Sequence, residues 1–249
     1  MMGTCTLKHL PICLVALMVC TFIISYSMSA YSGNVSVLFP YISDTGTLVP
    51  ASCVFGQLVN MCAFLGALCV YAWHLHEMYR IEHNECPRLH RTFARITLIL
   101  GLLCALGFSM VGNFQETSVM IGHLIGAMMT FVSGILFCAV LSFSSRVHLG
   151  SPTWLWVLRS ILTFINTTCF IFVFVFGALS GEMRLPPRKY EGTEKGYVYH
   201  ALSVSCEWAQ VSVLMIFFLT MVYELRDFTL DSMKVRKRPT VGSADSNTA

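Results

Sequence analysis

Between Lys8 and Asp44 the chain carries no Asp, Glu, Lys or Arg. A run of that kind has few homes. About 20 apolar residues suffice to cross a bilayer as a helix, which satisfies every backbone N–H and C=O within the segment. The pattern recurs, with apolar stretches at 10–30, 51–73, 96–114, 118–143, 161–180 and 197–223. Charged residues make up only 12% of the 249 residues, about half the share with which a soluble domain covers itself. Hydrocarbon must therefore be the solvent for most of the surface. The expected fold is an all-α, polytopic six-helix transmembrane bundle. A signal peptide is the rival reading of the first stretch, with Lys8 as its basic end and Met28-Ser29-Ala30 as a loose cleavage context. The apolar run is long for that role, which favours a retained helix.

Basic residues set the expected orientation. With the N-terminus cytosolic, the inner segments hold Lys8, Arg80, Arg88, Arg91, Arg95, Arg146, Arg159, Arg226, Lys234, Arg236, Lys237 and Arg238, or 12 of the 16 Lys and Arg residues. Arg184, Arg188, Lys189 and Lys195 fall outside. The positive-inside bias predicts both termini in the cytosol. Tyr71, Trp73 and Tyr79 with Arg80, and Trp154 and Trp156 with Arg159, read as two interfacial belts. Residues 1–224 then form the membrane domain and 225–249 a basic, disordered cytosolic tail. Its basic cluster is either the usual inner flank or an attraction to anionic lipid of ~1 kcal/mol per residue.

Most of the 11 cysteines lie in apolar stretches, where a thiol packs as a small hydrophobe, and no disulfide framework is implied. Cys5 and Cys86 are weak palmitoylation candidates. Gly122, Gly126, Thr130 and Gly134 recur every fourth position, and Gly101, Ala105 and Ser109 repeat the spacing. Such stripes let a neighbouring helix approach closely, within the monomer or, alternatively, across a homodimer. The basic residues are dispersed, with no aromatic-interleaved groove for nucleic acid.

The segment 39–60, FPYISDTGTLVPASCVFGQLVN, joins a Pro-bracketed polar loop to a long apolar helix. Ser43-Asp44-Thr45-Gly46 has turn chemistry, so the loop is either a lid on the bundle or an ordinary connection. Asn34-Val35-Ser36 is a glycosylation sequon close to the membrane end. Intramembrane polar groups are costly and mark function by default. Glu207 lies roughly 15 Å into the sixth helix at 1.5 Å per residue, with His200, Ser203 and Gln210 on its face. His123 enters from the same outer side, Glu116 is placed at the start of the fourth helix where a carboxylate suits the dipole, and Asp44 is on the outer loop. Three readings fit this set: a buried network fixing helix register, a site for a lipid headgroup or proton, and a metal-dependent intramembrane hydrolase. Two His and two carboxylates suit zinc, but no HExxH, G-x-S-x-G, P-loop or dinucleotide motif occurs. No catalytic residue, cofactor or metal is expected.

PYISDTGT at 40–47, SCVFGQLVN at 52–60, GNFQE at 112–116, KGYVYH at 195–200 and CEW at 206–208 resemble the damage-regulated autophagy modulator (DRAM) family over the whole six-helix region. Transmembrane-150 proteins are similar in NFQ and CEW but depart from SDTGT. The resemblance implies a non-enzymatic, multi-pass protein of lysosomal or endosomal membranes that promotes autophagy and stress responses, with the plasma membrane as an alternative location. Membrane lipids and autophagy or lysosomal proteins are the implied partners. Distant relatives handle lipids, which keeps open a lipid-handling or proton- or ion-transporting alternative. The family motifs add Asn113 and Gln115 to the candidate polar pocket of Asp44, Glu116, His123, His200 and Glu207.

Overall fold

A computed structural model describes residues 6–38, 40–86, 90–181 and 195–229. Its helices are α1 (His9–Tyr31), α2 (Ala51–Glu82), α3 (Arg91–Asn113), α4 (Met120–Val147), α5 (Thr153–Ser180), α6 (Tyr197–Thr220) and the single turn α7 (Val222–Leu225). A 3₁₀ turn, Asp44–Gly46, interrupts the first connection. Six helices among the described residues are long and apolar enough to cross a membrane.

Each helix packs on its sequence neighbours, and α6 returns to α1 across a thinner seam, closing a ring. The helices alternate in direction, so the two ends of the described chain meet: Leu7 N–H donates to Phe228 O at 2.9 Å. We call this end the termini face. The opposite end, with residues 32–50 and 114–119, is the loop face. Around the outside, Ile23, Phe64, Ile121 and Phe164 are more than half exposed. In water that girdle would be an aggregation surface, whereas in lipid it is the ordinary exterior of a membrane bundle. Trp73, Phe137, Leu141 and Phe217 are almost fully buried inside.

The α3–α4 seam shows how the small residues are used. A Cβ on Gly107 would lie 2.5 Å from Thr130 N and 2.7 Å from Gly126 O, so the two backbones touch. The α4 stripe of Gly126, Thr130 and Gly134 is thus consumed within the monomer and gives no support to a dimer seam. The α3 stripe is used within the monomer too, against α2. Gly101 packs beneath Val70 of α2 and Ser109 bonds Asn60 of α2, so that face meets α2 while Gly107 meets α4.

Helix ends also differ from their expected places. α2 continues past Trp73 to Glu82, and α5 starts directly after Pro152, which puts Trp154, Trp156 and Arg159 inside a helix rather than ahead of one. Hydropathy marks where lipid begins, while backbone hydrogen bonding carries the helix on. Glu116 precedes α4 by four residues and so is not in its first turn. Glu224 belongs to the single turn α7. Arg88, the acidic and basic loop residues 182–194, Cys5 and the cluster 234–238 lie outside the described residues.

Candidate functional site

The loop 32–50 is pinned onto the loop face from three helices. From α6, Glu207 Oε2 accepts the Ile42 backbone N–H at 2.7 Å and the Trp208 indole N–H donates to Pro40 O at 3.0 Å. From α1, Ser25 Oγ lies 3.1 Å from Thr45 Oγ1, which itself donates to Ile42 O at 2.7 Å. From α2, the Phe55 ring fills the place where Gly46 has no side chain: a Cβ there would sit 2.2 Å from Phe55 Cδ1. Glu207 thus ties α6 to the loop through a backbone N–H.

Beneath the loop lies a central cavity of about 90 Å³. Ile42, Ser43, His123 and Glu207 line one end, and the walls are apolar, among them Phe22, Phe55, Phe108, Leu214 and Phe218. His123 is buried, and its Nδ1 is 2.8 Å from Phe114 O. A carbonyl only accepts, so Nδ1 carries the proton and a neutral ring leaves Nε2 as an acceptor. Glu207 and His123 therefore line one cavity, and Asp44 is on the 3₁₀ turn of the loop above it.

The other candidates stand apart from it. Asn113 joins Asn60 and Ser109 in a compact α2–α3 clasp: Asn60 Nδ2 donates to Asn113 Oδ1 at 3.0 Å, and Asn113 Nδ2 donates to Asn60 Oδ1 at 3.1 Å. His200 is buried against the edge of Tyr41, ring centroids 5.3 Å apart, tying α6 to the loop. Gln115 and Glu116 are half-buried on the turn before α4, where Gln115 O accepts the Val119 N–H at 2.8 Å. Asn34 follows α1 directly, half-buried, its N–H bonded to Ser29 O at 2.9 Å. Among the described residues no three His, Cys, Asp or Glu side chains gather closely enough to hold a metal ion.

A second polar centre, at the termini face, escaped sequence reasoning. Arg159 has no solvent exposure and pairs with Glu224 at 2.6 Å. Its remaining N–H groups reach Ser145 Oγ, Thr220 Oγ1 and Thr220 O. Trp73 lies under the guanidinium at 5.3 Å, and Ser151 Oγ donates to Glu224 Oε1. One side chain thus joins α2, α4, α5, α6 and α7. Glu77 is also fully buried here, beside Trp73 and Ser144. Ionisable groups therefore gather at both ends of the bundle, not mainly at the loop face. The available signal was Thr220 and Glu224 at i, i+4 on one face. Cys86, nearby, is 4% exposed. Burial pushes its thiol above the ordinary cysteine range, with Arg80 pulling the other way, which disfavours the thiolate needed for acylation.

The sequence comparisons complete the picture. The family model described as Frag1/DRAM/Sfk1/Cwh43P N-terminal domain matches residues 6–228. DNA damage-regulated autophagy modulator protein 1 of Homo sapiens is 32% identical over 228 residues, 90% of this chain and 93% of that protein. DNA damage-regulated autophagy modulator protein 2 of Bos taurus is 30% identical over 238 residues, 92% and 86% of the two chains. Modulator of macroautophagy TMEM150B of Xenopus tropicalis is 40% identical over 130 residues, 51% and 54%. No solved structure matches.

Proposed function

The chain belongs to the Frag1/DRAM/Sfk1/Cwh43P N-terminal domain family, and from that premise we propose that it is an autophagy modulator of the lysosomal or endosomal membrane, acting without catalysis through lipids or protein partners. The observation that carries this reading is the extent of the match: a relative named as an autophagy modulator aligns over 90% of this chain and 93% of its own length. The similarity thus spans the bundle and both polar centres. The named activity is one of modulation, which supports a non-enzymatic role.

A lipid-handling or proton- or ion-transporting role is the second reading. It is favoured by the convergence of Glu207 and His123 on one cavity, since ionisable groups inside a membrane mark pathways and headgroup sites. Both readings are tested in cells lacking the endogenous protein. Restoring the chain should raise autophagic flux, and the protein should fractionate with lysosomal markers. Flux that is indifferent to the chain, in cells where it is correctly inserted, would sink the main reading. Glu207→Gln separates the two: the amide keeps an acceptor for the Ile42 N–H but removes the charge. Lost flux at unchanged protein level is expected if the carboxylate meets a headgroup or ion, and full flux if it only holds the loop.

A further inference from the structure

The depth of the central cavity limits what fits it. Its lining runs on α6 from Glu207 to Phe218 and on α2 from Phe55 to Gly66, a span of about 16 Å at 1.5 Å per residue. Half the hydrocarbon thickness of a bilayer is ~15 Å. The void is therefore about as long as one leaflet is deep; it opens beneath the loop and runs toward the termini face, its α6 wall reaching Phe218, two residues before Thr220. It is polar at its mouth, where Ser43, His123 and Glu207 stand, and apolar below. That is the polarity profile of a lipid chain hanging from its headgroup.

The floor shows that the space is built in. Glycine inside a helix costs about 1 kcal/mol relative to alanine and is normally kept where a neighbour needs the room. Gly101 fits that rule, because a Cβ there would meet Val70 at 2.5 Å. Gly66 does not: a Cβ there would meet nothing within 4 Å. Its missing side chain opens the cavity and admits no neighbouring helix.

The seam beside the cavity carries a groove of its own. The α1–α6 seam is the thin one in the ring, and on its lipid side Tyr26, Pro40, Val204 and Trp208 line a groove. Phe22 lines the cavity, Trp208 lines the groove, and the two rings meet edge-to-face at 6.2 Å. One aromatic pair separates groove from cavity, and the Trp208 N–H is bonded to the loop that roofs both.

We propose that the central cavity binds one acyl chain of a membrane phospholipid, admitted from the loop-face leaflet past the Phe22–Trp208 pair, its headgroup remaining at the level of His123 and Glu207. This rests on the lipid arm of the reading above, but it concerns occupancy and is read on purified protein, so a failure to support autophagy leaves it standing. The full chain is reconstituted in phosphatidylcholine vesicles containing phosphatidylcholine with a diazirine on its acyl chain, irradiated, and mapped by peptide mass spectrometry. Adducts are expected on α2 between Phe55 and Gly66 and on α6 between Val211 and Phe218, as well as on lipid-facing Ile121 and Phe164. Gly66→Leu fills the open space, so it should keep or raise the melting temperature. It should cut the cavity adducts at least about tenfold, equivalent to ~1.4 kcal/mol of binding, with Ile121 and Phe164 labelled as before. Should that variant fail to fold, Ala127→Leu on the α4 wall makes the same test. The proposal is overturned by cavity segments that take no label, by cavity labelling undiminished in the folded filled variant, or by labelling that cholesterol removes and unlabelled phosphatidylcholine does not.

Discussion

Arg159 has five N–H groups and each has an acceptor: two oxygens of Glu224, the hydroxyls of Ser145 and Thr220, and the Thr220 carbonyl. A buried ion pair is weak evidence of net stability, because both charges were taken out of a polar medium. Removing one partner is another matter, since the other is left buried and uncompensated. Arg159→Met should therefore cost about 3–5 kcal/mol, read as a lower melting temperature in detergent. Arg159→Lys should fall in between, because an ammonium cannot reproduce the planar fork. Adding Glu224→Met to Arg159→Met should recover most of the loss. If the double variant is no better than the single one, the pair does not act as a unit. At the other face, Gly46→Ala drives a Cβ into the Phe55 ring. The loop must shift, and a cost of about 1–3 kcal/mol is expected from overpacking. Limited proteolysis near residue 46 should report it as earlier cleavage.

Between helices, the decisive contacts are backbone to backbone. Gly107→Ala would push a methyl against Thr130 N and Gly126 O, which no side-chain rotation can relieve, so α3 and α4 must separate. Gly134→Ala meets only the Cys104 sulfur, at 3.2 Å, and should be nearly neutral. Melting temperatures of the two variants, measured side by side, should differ clearly in that order; equal values would mean that the two backbones do not touch. The six spans were legible in the sequence because the surrounding solvent writes itself into composition, one long uncharged run per crossing. The α4 stripe was legible for the same reason of local periodicity. Which face of α3 meets α4 was not, because Gly101 and Gly107 carry the same letter and differ only in the neighbour they touch. In the sequence Arg159 has the look of an interfacial marker, the usual place for a lone arginine beside tryptophans. Its acceptors lie on α4, α6 and α7, and no local window contains them. Of the loop-face residues, Glu207, His123 and Asp44 could be assigned to one end of the bundle from helix direction alone. That Asn113 turns to Asn60 instead of the cavity depends on helix rotation, which the spacing leaves open.

For the molecule as a whole, the ring has two faces and the described ends of the chain share one of them. The backbone bond from Leu7 to Phe228 fixes that pairing whatever membrane surrounds it, but charge decides which face looks into the cytosol. Arg80, Arg91, Arg95, Arg146 and Arg226 lie at the termini face, while Lys195 is the described basic residue at the loop face. Lys and Arg are retained on the cytosolic side during insertion, whereas acidic residues have little influence. The expected orientation is therefore termini face inward, with the loop 32–50, the cavity mouth and the Phe22–Trp208 pair toward the lumen or the cell exterior. Two exposed positions test it. Val49, 73% exposed on the loop, and Glu82, exposed at the end of α2, are each replaced by cysteine in a background without other reactive thiols. In sealed vesicles with the cytosolic side outward, a membrane-impermeant maleimide should label Glu82→Cys at once and Val49→Cys only after permeabilisation. The reverse pattern would turn the molecule over. The acyl-chain site would then open to the cytosolic leaflet, and any headgroup at Glu207 and His123 would have to be supplied from that side.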